Sequence, residues 1–249
     1  MRPLIPIQLP GVDPSDPFLD RMANAVMANG RPEESLCVLP DARLAKIFLH
    51  ALTKRHDAFI APEIYDEHRF LETFADPTLA DRCASQLECE LWLHQILTQT
   101  KSKYFQPGHA PALFQTFEEM QLYSCDVDQL QQLIRQDQLG DFAPEDYCER
   151  IEEAGTIMRL LDAKLKRGHR LSPAKLKVEQ ISDLRGALSS SPRWGARTLY
   201  YCPKLAPLPC EHAFLQELAA FPSASLWLVG IPPVTKPQAP LYRFWQGIA

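Results

Sequence analysis

The sequence is poor in glycine and contains no long apolar run. Its 249 residues include only 10 glycines against 22 prolines, so its turns depend on fixed backbone angles more than on flexible loops. No apolar stretch reaches the roughly 18 residues that a membrane-spanning helix needs. The proline-broken start, MRPLIPIQLPG, is too short for a secretory signal. The chain is therefore expected to be a cytoplasmic globular protein with no membrane partner.

Paired cysteines and histidines of the kind that bind metals are also missing. Seven cysteines are spread from Cys37 to Cys210, and the sequence contains no Cys-x-x-Cys or His-x-x-x-His pair. This spacing favours buried thiols in a reducing compartment over a disulfide framework or a zinc site. The Gly-x-Ser-x-Gly turn of serine hydrolases is absent as well. The sequence therefore predicts no metal, no cofactor and no catalytic residue.

The net charge of −5 gives no overall field that attracts nucleic acid. One segment, however, is strongly basic. KLKRGHRLSPAKLK, at 164–177, contains several cations and no acid. It fits a phosphate backbone in a salt-sensitive way, and it equally fits a solvated helix end favoured by the helix dipole. KSKYF, at 101–105, adds a short basic and aromatic pair that suits stacking on a base.

The spacing of apolar residues divides the sequence into three zones. In residues 1–75 and 198–249, short apolar runs alternate with helical periodicity. Such alternation is typical of parallel strands joined by right-handed helical crossovers. The predicted strands are PLIPIQL at 3–9, SLCVLP at 35–40, AFIAPEIYD at 58–66, TLYYCP at 198–203 and SASLWLVGIPP at 223–233. The fold class is therefore predicted to be α/β, with a parallel sheet of about four strands.

The middle zone, residues 76–197, is predicted to be an all-helical insertion in the α/β domain. Its apolar residues recur every three or four positions between Pro, Gly and Asp residues. The helical segments are predicted at 79–100, 110–124, 126–138 and 144–168. The large side chains Trp92, Phe114, Phe117 and Leu160 are predicted to lie in the core of this subdomain.

The first helix is preceded by GVDPSDPF, residues 11–18, which occupies the place of a phosphate-binding loop. Such a loop offers successive backbone N–H groups, a lysine and a serine or threonine. This segment has one glycine, and its two prolines each lack an N–H. Its two aspartates repel phosphate, and no lysine precedes Lys46. The loop is therefore predicted to be degenerate, with Asp16 and Pro17 serving only to start the helix.

Three segments carry a family resemblance. They are DPFLDRMANAVMANG at 16–30, SLCVLPDARLAKIFLHALTK at 35–54 and TLYYCPKLAPLPCEHAFLQELAAFPSASLWLVGIPP at 198–233. Their order and apolar patterns resemble the N-terminal, helicase-like region of AddB-type double-strand break repair proteins, whose full-length members end in a PD-(D/E)XK nuclease domain. The resemblance implies a P-loop-NTPase-like domain at 1–75 and 198–249 with a partial RecA-like sheet. It also implies that 76–197 is the family's inserted helical subdomain.

The same resemblance indicates how the chain differs from an active helicase. In helicase relatives the loop after the second strand touches single-stranded nucleic acid, and it corresponds here to 40–43. The acidic pair that holds magnesium in active helicases has no counterpart in LYYCPKL at 199–205. We therefore expect a catalytically inactive, helicase-like module of a DNA repair and recombination protein, which guides DNA or assists complex assembly. The expected DNA contacts are Arg43, Lys164, Lys166, Arg167, Arg170, Lys175 and Lys177.

The expected partners are DNA and either a helicase-nuclease subunit or a C-terminal part of the same protein that lies outside this sequence. Two other interpretations stay open. In the first, the chain is a protein interaction scaffold that makes no nucleic-acid contact, and the basic segment is solvated surface. In the second, it is an enzyme with an unrecognised site, which predicts Asp, Glu or His side chains gathered at the strand ends.

Overall fold

The computed structural model describes residues 18–55, 59–125, 128–129, 132, 145–188, 192–204 and 207–226. Four predicted features lie wholly or partly outside these residues. They are the strand at 3–9, the degenerate phosphate loop with the helix start at Asp16 and Pro17, most of the helical segment at 126–138, and the last predicted strand beyond Leu226.

Nine α-helices and four strands make up the described part of the chain. The helices are α1 (Phe18–Ala28), α2 (Ala42–Arg55), α3 (Glu67–Phe74), α4 (Pro77–Asp81), α5 (Gln86–Thr100), α6 (Ala110–Leu122), α7 (Glu145–Arg167), α8 (Pro173–Leu188) and α9 (Pro209–Ala219). The strands are β1 (Ser35–Leu39), β2 (Glu63–Asp66), β3 (Thr198–Tyr201) and β4 (Ala224–Leu226). None of these helices combines the length and the apolar character that crossing a membrane requires.

Short polar residues fix where several helices begin. The Asp41 carboxylate accepts the Leu44 N–H at 2.8 Å, at the start of α2. Asp66 and Asp76 act in the same way at the starts of α3 and α4. At α5 Ser85 forms a complete capping box with the carboxylate three residues later. These contacts satisfy backbone donors that the helices leave open at their N-termini.

The four strands form one parallel sheet in the order β2-β1-β3-β4. Val38 of β1 lies opposite Tyr65 of β2 on one side and Tyr201 of β3 on the other. β2 is shorter than the predicted strand at 58–66, because Pro62 has no N–H to donate to a ladder. The predicted α/β class, with a parallel sheet and a large helical part, is confirmed.

Helices cover both faces of the sheet. Successive side chains of a strand point to opposite faces, so Tyr200 and Tyr201 mark the two sides. Tyr200 shares a core with Met22 and Val26 of α1 and with Phe48 and Leu52 of α2. These four helix residues are fully buried, as the apolar periodicity of both helices predicts.

The opposite face has an aromatic core. The Tyr201 ring lies 5.8 Å from Phe70 of α3 and 5.8 Å from Phe214 of α9. α2 joins β1 to β2 on one face, and α9 joins β3 to β4 on the opposite face and in the opposite direction across the sheet, so the two crossovers have the same hand. From β1 the chain adds β2 on one side, and from β3 it adds β4 on the other side. This change of direction between β1 and β3 is the one found in doubly wound α/β folds.

The chain divides into two compact units. The α/β unit contains the described residues up to Ala75, those from Ser182 to Pro207 and those from Glu211 onward. The helical unit contains Asp76–Ile181 and Leu208–Cys210. The first boundary falls where the sequence predicted it.

The second boundary differs from the predicted one at 197, because residues after 181 pack in the α/β unit. The Arg193 guanidinium donates to both Asp183 carboxylate oxygens, at 2.6 and 2.9 Å, and to the Phe74 carbonyl at 3.1 Å. The Trp194 ring is 1% exposed and lies 6.1 Å from Phe70. These contacts add the second half of α8 and the segment before β3 to the α/β unit.

The helical unit has its own core, formed mainly by α5, α6 and α7. Its buried residues include Cys89, Leu93, Ile96, Leu97, Leu113, Phe114, Phe117, Ile157, Met158, Leu161 and Leu165. Phe114 and Phe117 lie in this core as predicted, and Trp92 packs against its margin. The prediction for Leu160 is wrong: this side chain is 42% exposed, because the buried side of α7 is the one that carries Ile157 and Leu161.

Polar contacts fix the start of α8 against α6. The Glu118 carboxylate accepts the Ala174 N–H at 2.7 Å, and the Gln121 side chain accepts the Ser172 hydroxyl at 2.7 Å. Burial raises the pKa of Glu118 above its ordinary value, although hydrogen bonds from Ser172 and the Ala174 N–H oppose this shift. Ionising this carboxyl is therefore less favourable in the folded chain than in the unfolded chain, although the carboxylate accepts a helix N–H.

We predict that Glu118→Gln becomes more stable relative to the wild type as pH rises. A raised pKa means that the folded state binds the proton more tightly, so the wild type loses stability as pH rises through that pKa. The glutamine oxygen still accepts the Ala174 N–H and carries no charge to desolvate. Urea unfolding near pH 5 and near pH 8 measures the difference. Glu119→Gln, at the exposed neighbouring position, is the control for charge loss, and an equal pH trend in both variants would refute the assignment.

Candidate nucleic-acid interface

Six of the seven predicted DNA-contacting residues lie in the helical unit, at the end of α7 and the start of α8. Lys164, Lys166 and Arg167 occupy the last turn of α7. Arg170 lies in the connection, and Lys175 and Lys177 follow on α8. The seventh, Arg43, is exposed in the first turn of α2, in the α/β unit. Arg43 and the other six residues therefore belong to different units of the chain.

The connection between α7 and α8 is a tight, hydrogen-bonded turn. His169 takes a left-handed backbone conformation, with φ of 52°, although Gly168 beside it is the residue that usually does so. The Arg170 N–H donates to the Leu165 carbonyl at 2.9 Å, and the His169 N–H donates to the Lys166 carbonyl at 3.1 Å. Both bonds satisfy carbonyls that a helix leaves open at its C-terminus, where cations are also favoured by the helix dipole.

Arg170 is occupied inside the fold. Its guanidinium donates to the Cys83 carbonyl at 2.7 Å and to the Glu88 carboxylate at 3.2 Å. The backbone beside it is tied as well, because Leu171 donates to the Arg82 carbonyl and accepts from Ala84, both at 2.8 Å. Arg170 therefore anchors the turn to the start of α5, and its charge is not presented to a ligand.

Glu88 joins this anchor to the capping box of α5. Hydrogen bonds from the Ser85 N–H, then from the Ser85 hydroxyl, lower the pKa of Glu88, and Arg170 adds to the effect. The carboxylate accepts the Ser85 N–H at 2.7 Å. One charged group therefore fixes both the beginning of α5 and the turn after α7.

Three of the remaining cations also have partners within the chain. The Lys166 ammonium lies 2.5 Å from Asp162, and the Lys175 ammonium lies 3.3 Å from Glu179, each one helical turn away. Lys177 is half-buried and interacts with other residues of the chain. Asp162 and Glu179 lie just outside the basic segment at 164–177. Because the segment itself contains no acid, its sequence gave no sign that two of its lysines are paired.

Lys164 and Arg167 face a groove between α5 and α7. The Lys164 ammonium donates to the Gln95 side chain at 2.9 Å and lies 5.3 Å from the centre of the Trp92 ring. The Arg167 side chain is exposed and forms no hydrogen bond or ion pair with the described residues. One cation is therefore held in place, and the other is available to a ligand.

The groove encloses a cavity of about 280 Å³. Its lining combines amides, cations and apolar carbon, and includes no carboxylate. The residues are Gln95, Ile96, Gln99 and Thr100 on α5, and Leu160, Ala163, Lys164 and Arg167 on α7. Sequence reasoning missed Gln95 and Gln99, because only the packing of two helices distant in sequence brings them beside the cations.

The basic and aromatic pair at 101–105 is already engaged. The Lys103 ammonium lies 2.8 Å from the Glu149 carboxylate, which also accepts the Tyr104 hydroxyl at 2.5 Å. The hydrogen bond from Lys103, followed by the one from Tyr104, lowers the pKa of Glu149 below its ordinary value. The pair therefore fastens the loop after α5 to the beginning of α7.

The carboxyl edge of the sheet carries an ion pair that the sequence did not reveal. The Glu67 side chain is 8% exposed, and its carboxylate lies 2.8 Å from the Lys204 ammonium, which follows β3. Burial raises the pKa of the nearby Tyr201, and the carboxylates of Glu67 and Glu211 add to this shift. The Lys204 ammonium therefore neutralises the charge of the Glu67 carboxylate. Across the described ranges, no group of three or more His, Cys, Asp or Glu residues is placed to hold a metal ion.

No model of a known protein family matches the chain, and no curated protein matches its sequence. What the chain binds is therefore inferred from the residues and the geometry of its two units. The α5–α7 groove and the exposed cations are the features that bear most directly on that question.

We predict that Arg170→Ala lowers the free energy of unfolding by about 1.5–3 kcal/mol, because it removes charge-assisted hydrogen bonds that join the turn to α5. Arg167→Ala should change it by less than about 0.5 kcal/mol, since that side chain is exposed and unpaired. Chemical denaturation of the two variants gives both values. Equal effects would contradict the division into an anchoring arginine and a presented arginine.

Proposed function

We propose that the chain is a catalytically inactive, helicase-like module of an AddB-type DNA double-strand break repair protein. In this proposal the α/β unit is a scaffold with a partial RecA-like sheet, and the helical unit contacts DNA. The module guides DNA and assembles with a helicase-nuclease partner subunit or with a C-terminal part of the same protein. A cytoplasmic location is part of the proposal, since all seven cysteines are free thiols, as a reducing compartment requires.

The architecture supports the helicase-like part. Four parallel strands with helices on both faces form a doubly wound sheet, and the helical unit is inserted between β2 and β3. This order matches the one that the resemblance implies. The match concerns topology and apolar pattern, so it bears on the fold and not on any particular reaction.

Two features support the loss of catalysis. The segment at 11–17 lacks the lysine and most of the N–H donors of a phosphate loop. The residues that follow β3 are Cys202, Pro203 and Lys204, where active helicases hold magnesium with acids. A lysine paired with Glu67 repels a metal ion at that edge. ATP-driven movement is therefore not expected of this chain.

The observation that carries the DNA-guiding part is the α5–α7 groove. Lys164 and Arg167 face it together with two glutamine amides, and no carboxylate lines it. Cations suit phosphate oxygens, amides suit phosphate or base edges, and Leu160 offers apolar contact to a sugar or base. The chain is acidic overall, so this attraction is local and should depend strongly on salt.

A second candidate function is a protein interaction scaffold without nucleic-acid contact. Leu87 and Leu91 of α5 are 65% and 54% exposed and lie one helical turn apart. Exposed leucines at this spacing are typical of a helix that packs against a partner. DNA binding separates the two candidates, since the scaffold predicts none.

We predict that the wild type binds single-stranded and forked DNA with an affinity that falls as salt rises and that Mg-ATP does not change. Lys164→Gln with Arg167→Gln should reduce the slope of log affinity against log salt by about 1.4, since each lost single-strand phosphate contact removes about 0.7. Fluorescence anisotropy titrations at several salt concentrations measure the slope.

Lys166→Gln with Lys175→Gln is the matched control, because it removes the same charge from residues already paired with acids. No measurable binding by the wild type would refute the DNA-guiding function. Equal weakening by both double variants would refute the groove as its site. An ATP-dependent affinity would refute the inactive assignment.

A further inference from the structure

The exposed face of α2 carries basic side chains and no acidic one. The helix sequence ARLAKIFLHALTKR contains neither Asp nor Glu. Its apolar face, with Phe48 and Leu52, is buried in the α/β core. On the opposite face, exposed basic side chains follow at intervals of three or four residues, so they form one row along the helix. They are Arg43, Lys46, His50 and Lys54.

Three cations of this row have no side-chain partner among the described residues. Within the described part of the chain, the side chains of Arg43, Lys46 and Lys54 form no hydrogen bond or ion pair. Lys166 and Lys175, on two other helices of the same chain, are each paired with an acid one turn away. In a protein of net charge −5, a row of unpaired basic side chains gives this face a local charge opposite in sign to that of the whole chain.

Folding gains nothing from this arrangement. Like charges three or four residues apart on a helix repel each other and destabilise it slightly. The nearby acid, Asp41, is engaged as the N-cap of α2. The row therefore lowers stability slightly and leaves its positive charge directed to solvent, which is the pattern of a surface that meets an anionic partner.

The dimensions of the row suit a polymer of phosphates. From Arg43 to Lys54 the helix rises about 16 Å, at 1.5 Å per residue. That length covers about five phosphate steps of a nucleic-acid strand, at 3.4 Å per step. Ile47 is 42% exposed beside the row and offers apolar contact to a sugar or base.

We propose that this face of α2 binds the phosphate backbone of a nucleic-acid strand, as a second contact surface of the module. The inference rests on the proposed DNA-guiding function and adds the α/β unit to it. Sequence reasoning assigned only Arg43, whereas the helix geometry adds Lys46, His50 and Lys54.

The test is anisotropy of a labelled single strand of about 30 nucleotides, titrated with the 249-residue chain from about 50 to 200 mM salt. Lys46→Gln with Lys54→Gln should weaken binding about tenfold near 100 mM salt and reduce the salt slope by about 1.4. The matched control, Lys166→Gln with Lys175→Gln, removes the same total charge and should leave the slope within experimental error. Thermal unfolding should show both variants folded, and Lys46→Gln with Lys54→Gln should be no less stable than the wild type.

Equal affinities for the two double variants would overturn the inference. If Lys164→Gln with Arg167→Gln weakens binding and Lys46→Gln with Lys54→Gln does not, the proposed function stands and the α2 surface is wrong. If the wild type binds no DNA, both fail. Binding to phosphatidylserine vesicles that needs Lys46 and Lys54, without an effect on DNA, would assign the row to a membrane surface and overturn the inference as well.

Discussion

The geometry of the helical unit depends on one partly buried guanidinium. Arg170 joins the turn after α7 to the Cys83 carbonyl and to Glu88, and two backbone hydrogen bonds beside it complete the tie. Because α5 begins at that same place, the anchor sets how the end of α7 lies along α5. The groove with Lys164 and Arg167 is a consequence of this alignment. Arg170, which the sequence analysis expected to contact DNA, therefore acts as the support for the two cations beside the groove.

The exposed cations likewise divide into those that are paired with an acid and those that are not. Lys166 and Lys175 are paired with acids one turn away, and Lys204 is paired with a nearly buried Glu67. Such pairs add little stability where they are exposed, but they cancel local fields. Among the described residues, Arg167 beside the groove and the cations along α2 are without an acidic partner. On an acidic protein, isolated basic surfaces attract anions only locally.

Apolar periodicity was sufficient to predict the α/β class, the positions of β1, β3 and α2, and the helical insertion that begins after Ala75. It failed where tertiary packing decides. Leu160 has the spacing of a core residue but lies in the groove, and the segment around Trp194 belongs to the α/β unit because Arg193 and aromatic contacts hold it there. Charge counting found the basic segment but could not separate its anchoring, paired and available cations, since the partners of Arg170 lie more than 80 residues away in sequence.

The most direct test of the proposed DNA-guiding function is lysine footprinting of the 249-residue chain. Acetylation by a soluble ester, with and without a saturating single-stranded oligonucleotide, is read at each lysine by mass spectrometry. The account predicts that DNA protects Lys46, Lys54 and Lys164 and leaves Lys166 and Lys175 as reactive as in the free protein. Uniform protection of all five lysines, or protection confined to Lys166 and Lys175, would contradict it.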